Sequence, residues 1–204
     1  MAPVCPDRPE QASPARPSRH RGPARGRSGE QMLAFMRHGE TDWNRAMRFQ
    51  GRTDVPLNET GRQQARDAAQ RMLDEGESWD AVVTSPLSRA RETGQIVAET
   101  LGAEFGGTYD GLIERSFGST EGKHNENLTP EEYAELMVPA EPEDELVARA
   151  LQAVQQVASD HPGRDVLMVT HGSLIRIALN HWSGDTHPRI INTQVLQLQE
   201  EWIG

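Results

Sequence analysis

The chain has 204 residues, 35% of them hydrophobic and 25% charged, with a formal net charge of −10. That length gives one domain a sizeable core and would cramp two. No apolar run approaches the eighteen residues of a membrane span, the acidic balance argues against nucleic acid or an anionic membrane as partner, and Cys5, the only cysteine, excludes a disulfide within the chain.

Residues 1–30 hold six prolines and six arginines, Arg8, Arg16, Arg19, Arg21, Arg25 and Arg27, with almost no large apolar side chains. Such a stretch cannot offset the entropy of ordering and reads as a disordered basic tail. It is either a basic arm or a sequence ahead of a true start near Met32. It lacks the apolar core of a secretory signal. With no cysteine in the body of the chain, a reducing, cytoplasmic setting fits. The six tail arginines oppose only Asp7, Glu10 and Glu30, so residues 31–204 carry −13. Any anion site must therefore be focused locally by a few cations against the net field.

From residue 31 the elements alternate. Residues 32–36 form a short apolar run that reads as a buried parallel strand. A loop rich in Arg, Asn and Gly follows, then a helix over about 60–75, bounded by Leu57 and Gly76. Residues 81–84 make a second buried strand, followed by a helix over 87–101 with Leu87, Ala90, Gly94, Val97 and Leu101 on its inner stripe and Gly102 at its stop. Residues 104–160 read as an insertion. Within it, Thr129 and Pro130 start one helix, and a longer one spans about 144–159 with Leu146, Ala150, Val154 and Val157 facing in. Residues 165–170 are a third buried strand, followed by a helix over 173–182. Residues 189–199 read as a final strand, which could pair with a second chain and so leaves a homo-oligomer open. Alternating strands and helices imply an α/β three-layer sandwich, a mainly parallel sheet with helices on both faces.

Ligands in such sheets bind beyond the carboxyl ends of the strands. Arg37 and His38 lie at the first such end, Ser85 and Arg89 after the second, His171 and Gly172 at the third. Two guanidiniums can clamp a phosphoryl group bidentately, and Gly39 and Gly172 let the backbone come close. A helix starting near Ser173 would point its amides at the anion. One histidine should be neutral and attack phosphorus. His38 suits that role, following the innermost strand with Arg37 beside it, and His171 would then be a charged, oxygen-binding partner. A leaving alkoxide needs a proton from a carboxylic acid. Glu114 emerges from an apolar patch and is the candidate, with Glu121 and Glu40 as competitors. No cluster of Asp, Glu and His has metal spacing, and the chemistry requires no metal or cofactor. His124, His181 and His187 read as solvated.

These residues resemble the histidine phosphatase superfamily, the phosphoglycerate mutase-like proteins, over residues 32–200. Arg37, His38, Gly39, Glu40 and Thr41 match its signature. Asn44, Gln50, Gly51, Leu57 and Gly61 fall where it has its substrate loop and next helix. Ser85, Pro86, Leu87, Arg89, Ala90 and Thr93 match its second-arginine segment, Glu114, Phe117, Gly118, Glu121 and Gly122 its acid segment, and His171, Gly172 and Ile175 its second His-Gly block. The resemblance implies a phosphohistidine at His38 and proton donation by Glu114. It implies phosphoryl binding by Arg37, Arg89 and His171, and substrate or phosphate contact by Asn44, Gln50 and Gly51. The substrate would be a small-molecule phosphate ester.

The chain departs from the mutase pattern. Phe117 stands where mutases have tyrosine, Asn125 replaces an expected lysine, and no paired-arginine segment for a second acidic group is evident in 124–145. These departures point to a metal-independent phosphomonoesterase. A cofactor-dependent phosphoglycerate mutase and a non-catalytic phospho-ligand binder are the alternatives.

Overall fold

The computed structural model describes residues 31–203; the tail expected over 1–30 lies outside them. Five strands form one sheet in the order β3-β2-β4-β1-β5. They are β1 (Leu33–Arg37), β2 (Ala81–Thr84), β3 (Glu104–Thr108), β4 (Val166–Thr170) and β5 (Val195–Gln197). The helices are α1 (Asp42–Arg45), α2 (Glu59–Asp74), α3 (Ser88–Leu101), α4 (Pro130–Met137), α5 (Glu143–Asp160) and α6 (Gly172–Ser183). Among the described residues no helix is long and apolar enough to cross a membrane.

The unbroken apolar runs have a simple cause. Leu33, Phe35, Val83 and Met168 pack on one face against Leu146, Ala150 and Val154 of α5 and Leu174 and Ala178 of α6. Ala34, Met36, Val82, Leu167 and Val169 pack on the other face against Ala65 and Ala69 of α2 and Val97 of α3. Alternate side chains thus point into two different cores, so neither parity can be polar.

The expected architecture is present, with three corrections. Residues 104–108 are not part of an insertion but a strand parallel to β2. Only Phe105 there is large and apolar, and Gly107 at φ 94° breaks the register, so the segment carries no strand pattern. The final strand is shorter than 189–199: Val195–Gln197 alone pair with β1, antiparallel. Ile190 is buried while Ile191 is 66% exposed, and residues 190–194 form a loop around the end of β1. In that loop the amide of Thr193, at φ 59°, donates to the carbonyl of Arg37, whose own amide donates to Gln194. Third, the innermost strand is β4, which precedes His171; β1, which precedes His38, lies beside it.

Candidate active site

The strand pairing brings the two histidines together. β1 and β4 run parallel with Arg37 opposite Thr170, so the next residues, His38 and His171, stand level on adjacent strands. The His38 amide donates to the Thr170 carbonyl at 3.0 Å, and the two imidazole centroids lie 5.2 Å apart. The segment after His38 turns sharply against α2. A Cβ on Gly39 would lie 2.4 Å from the Gly61 carbonyl oxygen, so both positions need the missing side chain.

His38 Nδ1 lies 2.7 Å from the carbonyl oxygen of Gly39. A carbonyl can only accept, so Nδ1 carries the proton and Nε2 keeps its lone pair. Burial first, then the positive charges of Arg89 and Arg37, push the His38 pKa well below 6.5. His171 is fully buried and places Nε2 2.7 Å from Ser85 Oγ, while its Nδ1 has no partner among the described residues. Burial and the same two guanidiniums push its pKa well below 6.5 as well. Without a bound anion the protein's own groups therefore favour the neutral form of His171; the charged, oxygen-binding role expected from sequence belongs to the phosphate-bound site. A phosphate dianion between the guanidiniums would oppose that bias.

Both arginines are oriented by backbone carbonyls. Arg37 donates from Nη1 to Ile190 at 2.6 Å, and Gly172 gives its stem room, a Cβ there falling 3.2 Å from Arg37 Nε. Arg89 is wholly buried and donates to the carbonyls of Thr53 at 2.9 Å and Gly51 at 2.8 Å. It thereby fixes the loop at 51–53. In each residue Nε is buried and has no partner among the described residues. Burial lowers the pKa of each to about 10, with Arg189 adding to the effect at Arg37 and Glu114 opposing it at both. Both remain cations at neutral pH.

Glu114 is buried at the mouth of α6. Its Oε1 accepts from the amides of Leu174 at 2.9 Å and Arg115 at 2.8 Å, and its Oε2 accepts from Ser173 at 3.1 Å. The amides of Ser173 and Leu174 in the first turn of α6 thus hold this carboxylate and are not free for a substrate anion. Arg149 of α5 fastens the segment from behind, donating to the carbonyls of Gly111, Ile113 and Glu114 and to both oxygens of Glu141.

The competing acids are engaged elsewhere. Glu121 accepts from the amides of Arg52, Thr53 and Phe117 and from the Thr53 hydroxyl. Partial burial opposes its ionisation, but these bonds outweigh it and hold its pKa below the usual carboxylate range. Its role is to shape the loop at 51–53: a Cβ on Gly51, at φ 55°, would fall 2.0 Å from Glu121 Oε1. Glu40 pairs with Arg45 and Asn58.

A cleft of about 370 Å³ opens above these groups. Arg37, His38, Asn44, Gln50, Gly51, Arg89, Glu114 and Gly172 all line it, while His171 lies beneath. Gln50 Oε1 accepts from the Thr41 hydroxyl at 2.8 Å, and Asn44 caps the turn of α1 with Thr41. Trp43 is outside the lining and rests against Gly122. His187, read from sequence as solvated, lines the wall. Sequence reasoning also missed Asn192, which donates to the His38 carbonyl at 2.8 Å, and the arginines at 48, 149, 176 and 189. Their sequence surroundings carry no signal; chain segments far apart in sequence deliver them. Among the described residues no group of three or more His, Cys, Asp or Glu is placed to hold a metal ion.

Residues 33–199 match the family model of the histidine phosphatase superfamily, branch 1. The chain is 38% identical over 165 residues to the uncharacterised phosphatase PhoE of Bacillus subtilis, covering 80% of this chain and 83% of that one. It is 35% identical over 176 residues to the metal-independent phosphoserine phosphatase of Arabidopsis thaliana, covering 80% and 74%. Among solved structures, a mycobacterial glucosyl-3-phosphoglycerate phosphatase superposes with a TM-score of 0.73 at 25% identity, covering 83% of this chain and 93% of that one.

Proposed function

The chain belongs to the histidine phosphatase superfamily and is a phosphatase of that kind; from that premise we propose a metal-independent phosphomonoesterase that works through a phosphohistidine on His38. The observation that carries the reading is the tautomer of His38. Its Nδ1 is committed to Gly39, its Nε2 is unprotonated, and two cationic guanidiniums flank it.

In the first step Nε2 attacks phosphorus, the phosphorus–oxygen ester bond breaks, and Glu114 gives its proton to the leaving oxygen. Arg37 and Arg89, with Asn44 and the amide of Gly172 at the wall, hold the phosphoryl oxygens, and His171 Nδ1 meets one from below. Charge that builds on those oxygens meets donors already in place, so little reorganisation is needed. In the second step a water attacks phosphorus and Glu114 takes its proton. The phosphorus–nitrogen bond then breaks, and inorganic phosphate leaves with His38 neutral again. Gln50 and Gly51 form the loop beside the leaving group.

The test is phosphate release from p-nitrophenyl phosphate and from alkyl phosphates, with and without chelator. His38→Ala is expected to lose at least about a thousandfold in kcat, and rapid acid quench of the wild type should trap an acid-labile phosphoenzyme. Turnover retained in His38→Ala would falsify the mechanism. Efficient interconversion of 3- and 2-phosphoglycerate with a bisphosphoglycerate primer would favour the mutase alternative.

A further inference from the structure

The cleft holds more positive charge than a phosphoryl group requires. Besides Arg37 and Arg89, its wall carries Arg48, Arg176 and Arg189. None of the three meets a carboxylate among the described residues. Arg48 donates to the Gly122 carbonyl, Arg189 lies 3.9 Å from the Met47 sulfur, and Arg176, half-buried, makes no hydrogen bond or ion pair. Most arginines away from the cleft behave differently. Arg45, Arg62, Arg66, Arg149 and Arg164 each lie against a carboxylate.

In a body carrying −13, three arginines that meet no carboxylate and converge on one cleft need a reason. The one carboxylate in the lining, Glu114, is turned to the amides of α6, and Arg115 is already taken by Glu143 and the Glu141 carbonyl. The three arginines arrive from separate segments. Arg176 sits one helical turn along α6 from Gly172, a rise of about 6 Å beyond the residue that packs on Arg37. Arg189 comes from the loop that His187 ties to α6 through Asn180, at 2.7 Å. Arg48 follows α1.

We propose that Arg48, Arg176 and Arg189 form a second anion subsite, so that the substrate is a compact phosphomonoester whose leaving group carries a second anionic group, a carboxylate or another phosphate. This rests on the phosphomonoesterase reading. A planar guanidinium matches either group bidentately. A neutral sugar phosphate would instead leave three guanidiniums partly desolvated and unpaired, which costs affinity.

The test separates binding from turnover. Calorimetric titration of His38→Ala, which cannot consume the ligand by the proposed route, compares two matched pairs. One is 3-phosphoglycerate against glycerol 3-phosphate, which share three carbons and differ by carboxylate versus hydroxymethyl. The other is fructose 1,6-bisphosphate against fructose 6-phosphate. The acidic member of at least one pair should bind tenfold tighter or more, and which pair responds tells carboxylate from phosphate. Adding Arg176→Gln, or Arg189→Gln if the first fails to fold, should cut that ratio at least threefold. Ratios near one in both pairs, or a ratio that neither substitution changes, overturn the subsite. Wild-type turnover of p-nitrophenyl phosphate reports separately on the phosphatase reading.

Discussion

Arg149 offers the sharpest test of how the site is held. Its guanidinium reaches the carbonyls of Gly111 at 2.8 Å, Ile113 at 2.6 Å and Glu114 at 3.2 Å, and the carboxylate of Glu141 at 2.7 and 2.9 Å. Replacing it in Arg149→Met keeps most of the apolar stem and removes every one of those donors. The Glu141 side chain is only 9% exposed and would keep one cation, Arg52, itself 43% exposed and 3.2 Å away. Stranding a mostly buried carboxylate in this way costs about 3 kcal/mol of stability, readable by chemical denaturation. The kinetic consequence is selective, because Arg149 acts on the segment that carries Glu114 and touches neither phosphoryl clamp. A shift of about 1 Å in a catalytic group costs about a hundredfold. Values of kcat/KM for alkyl phosphates, whose leaving oxygen needs a proton, should therefore fall by about ten- to a hundredfold. Values for p-nitrophenyl phosphate, whose phenolate leaves unprotonated, should fall by less than about threefold. Equal losses on both ester types would refute the assignment of Arg149 as a positioning residue for the acid.

Two further outcomes follow from the geometry. Because His38 and His171 are both held well below 6.5, each takes up a proton on unfolding below pH 6.5 and none above it. The unfolding free energy should then fall with acidification by about 1.4 kcal/mol per pH unit for each histidine. His171→Asn should lose its share of that slope between pH 6.5 and 5, and an unchanged slope would count against burial as the cause. Gly51→Ala places a methyl group against Glu121 at a backbone φ of 55°. It should cost about 2 kcal/mol in stability and raise KM more than it lowers kcat; a neutral result would mean the loop re-forms without the Glu121 contacts.

What could be read from the sequence depended on how local the cause was. β1, β2 and β4 lie between two cores, so their apolar runs are unbroken, and each ends in a polar residue of the site. His38, Arg89 and His171 were therefore legible together, as strand ends of a parallel sheet. β3 was not, because an edge strand built of Glu, Phe, Gly, Gly and Thr owes its place to pairing with β2 and not to burial. The direction of the α6 amides was misjudged for a related reason. Sequence marks a helix start near residue 173 but not the carboxylate 59 residues earlier that folds back onto it. The burial of His171 was equally out of reach, because desolvation depends on the depth of β4 in the sheet, which the order of strands alone decides.

The loop at 190–194 has a consequence for biosynthesis. His38 is among the first residues of the folded body to be made, yet its carbonyl is held by Asn192 and its neighbour Arg37 is anchored to Ile190, across sequence separations of 154 and 153. Local contacts cannot substitute for these, and closures of such length form late. His38, the nucleophile of the proposed mechanism, therefore waits, held by Gly39 but with Arg37 unanchored, until the ribosome has added and released the segment through residue 194. The cleft is therefore among the last parts of this body to be completed as the chain is made.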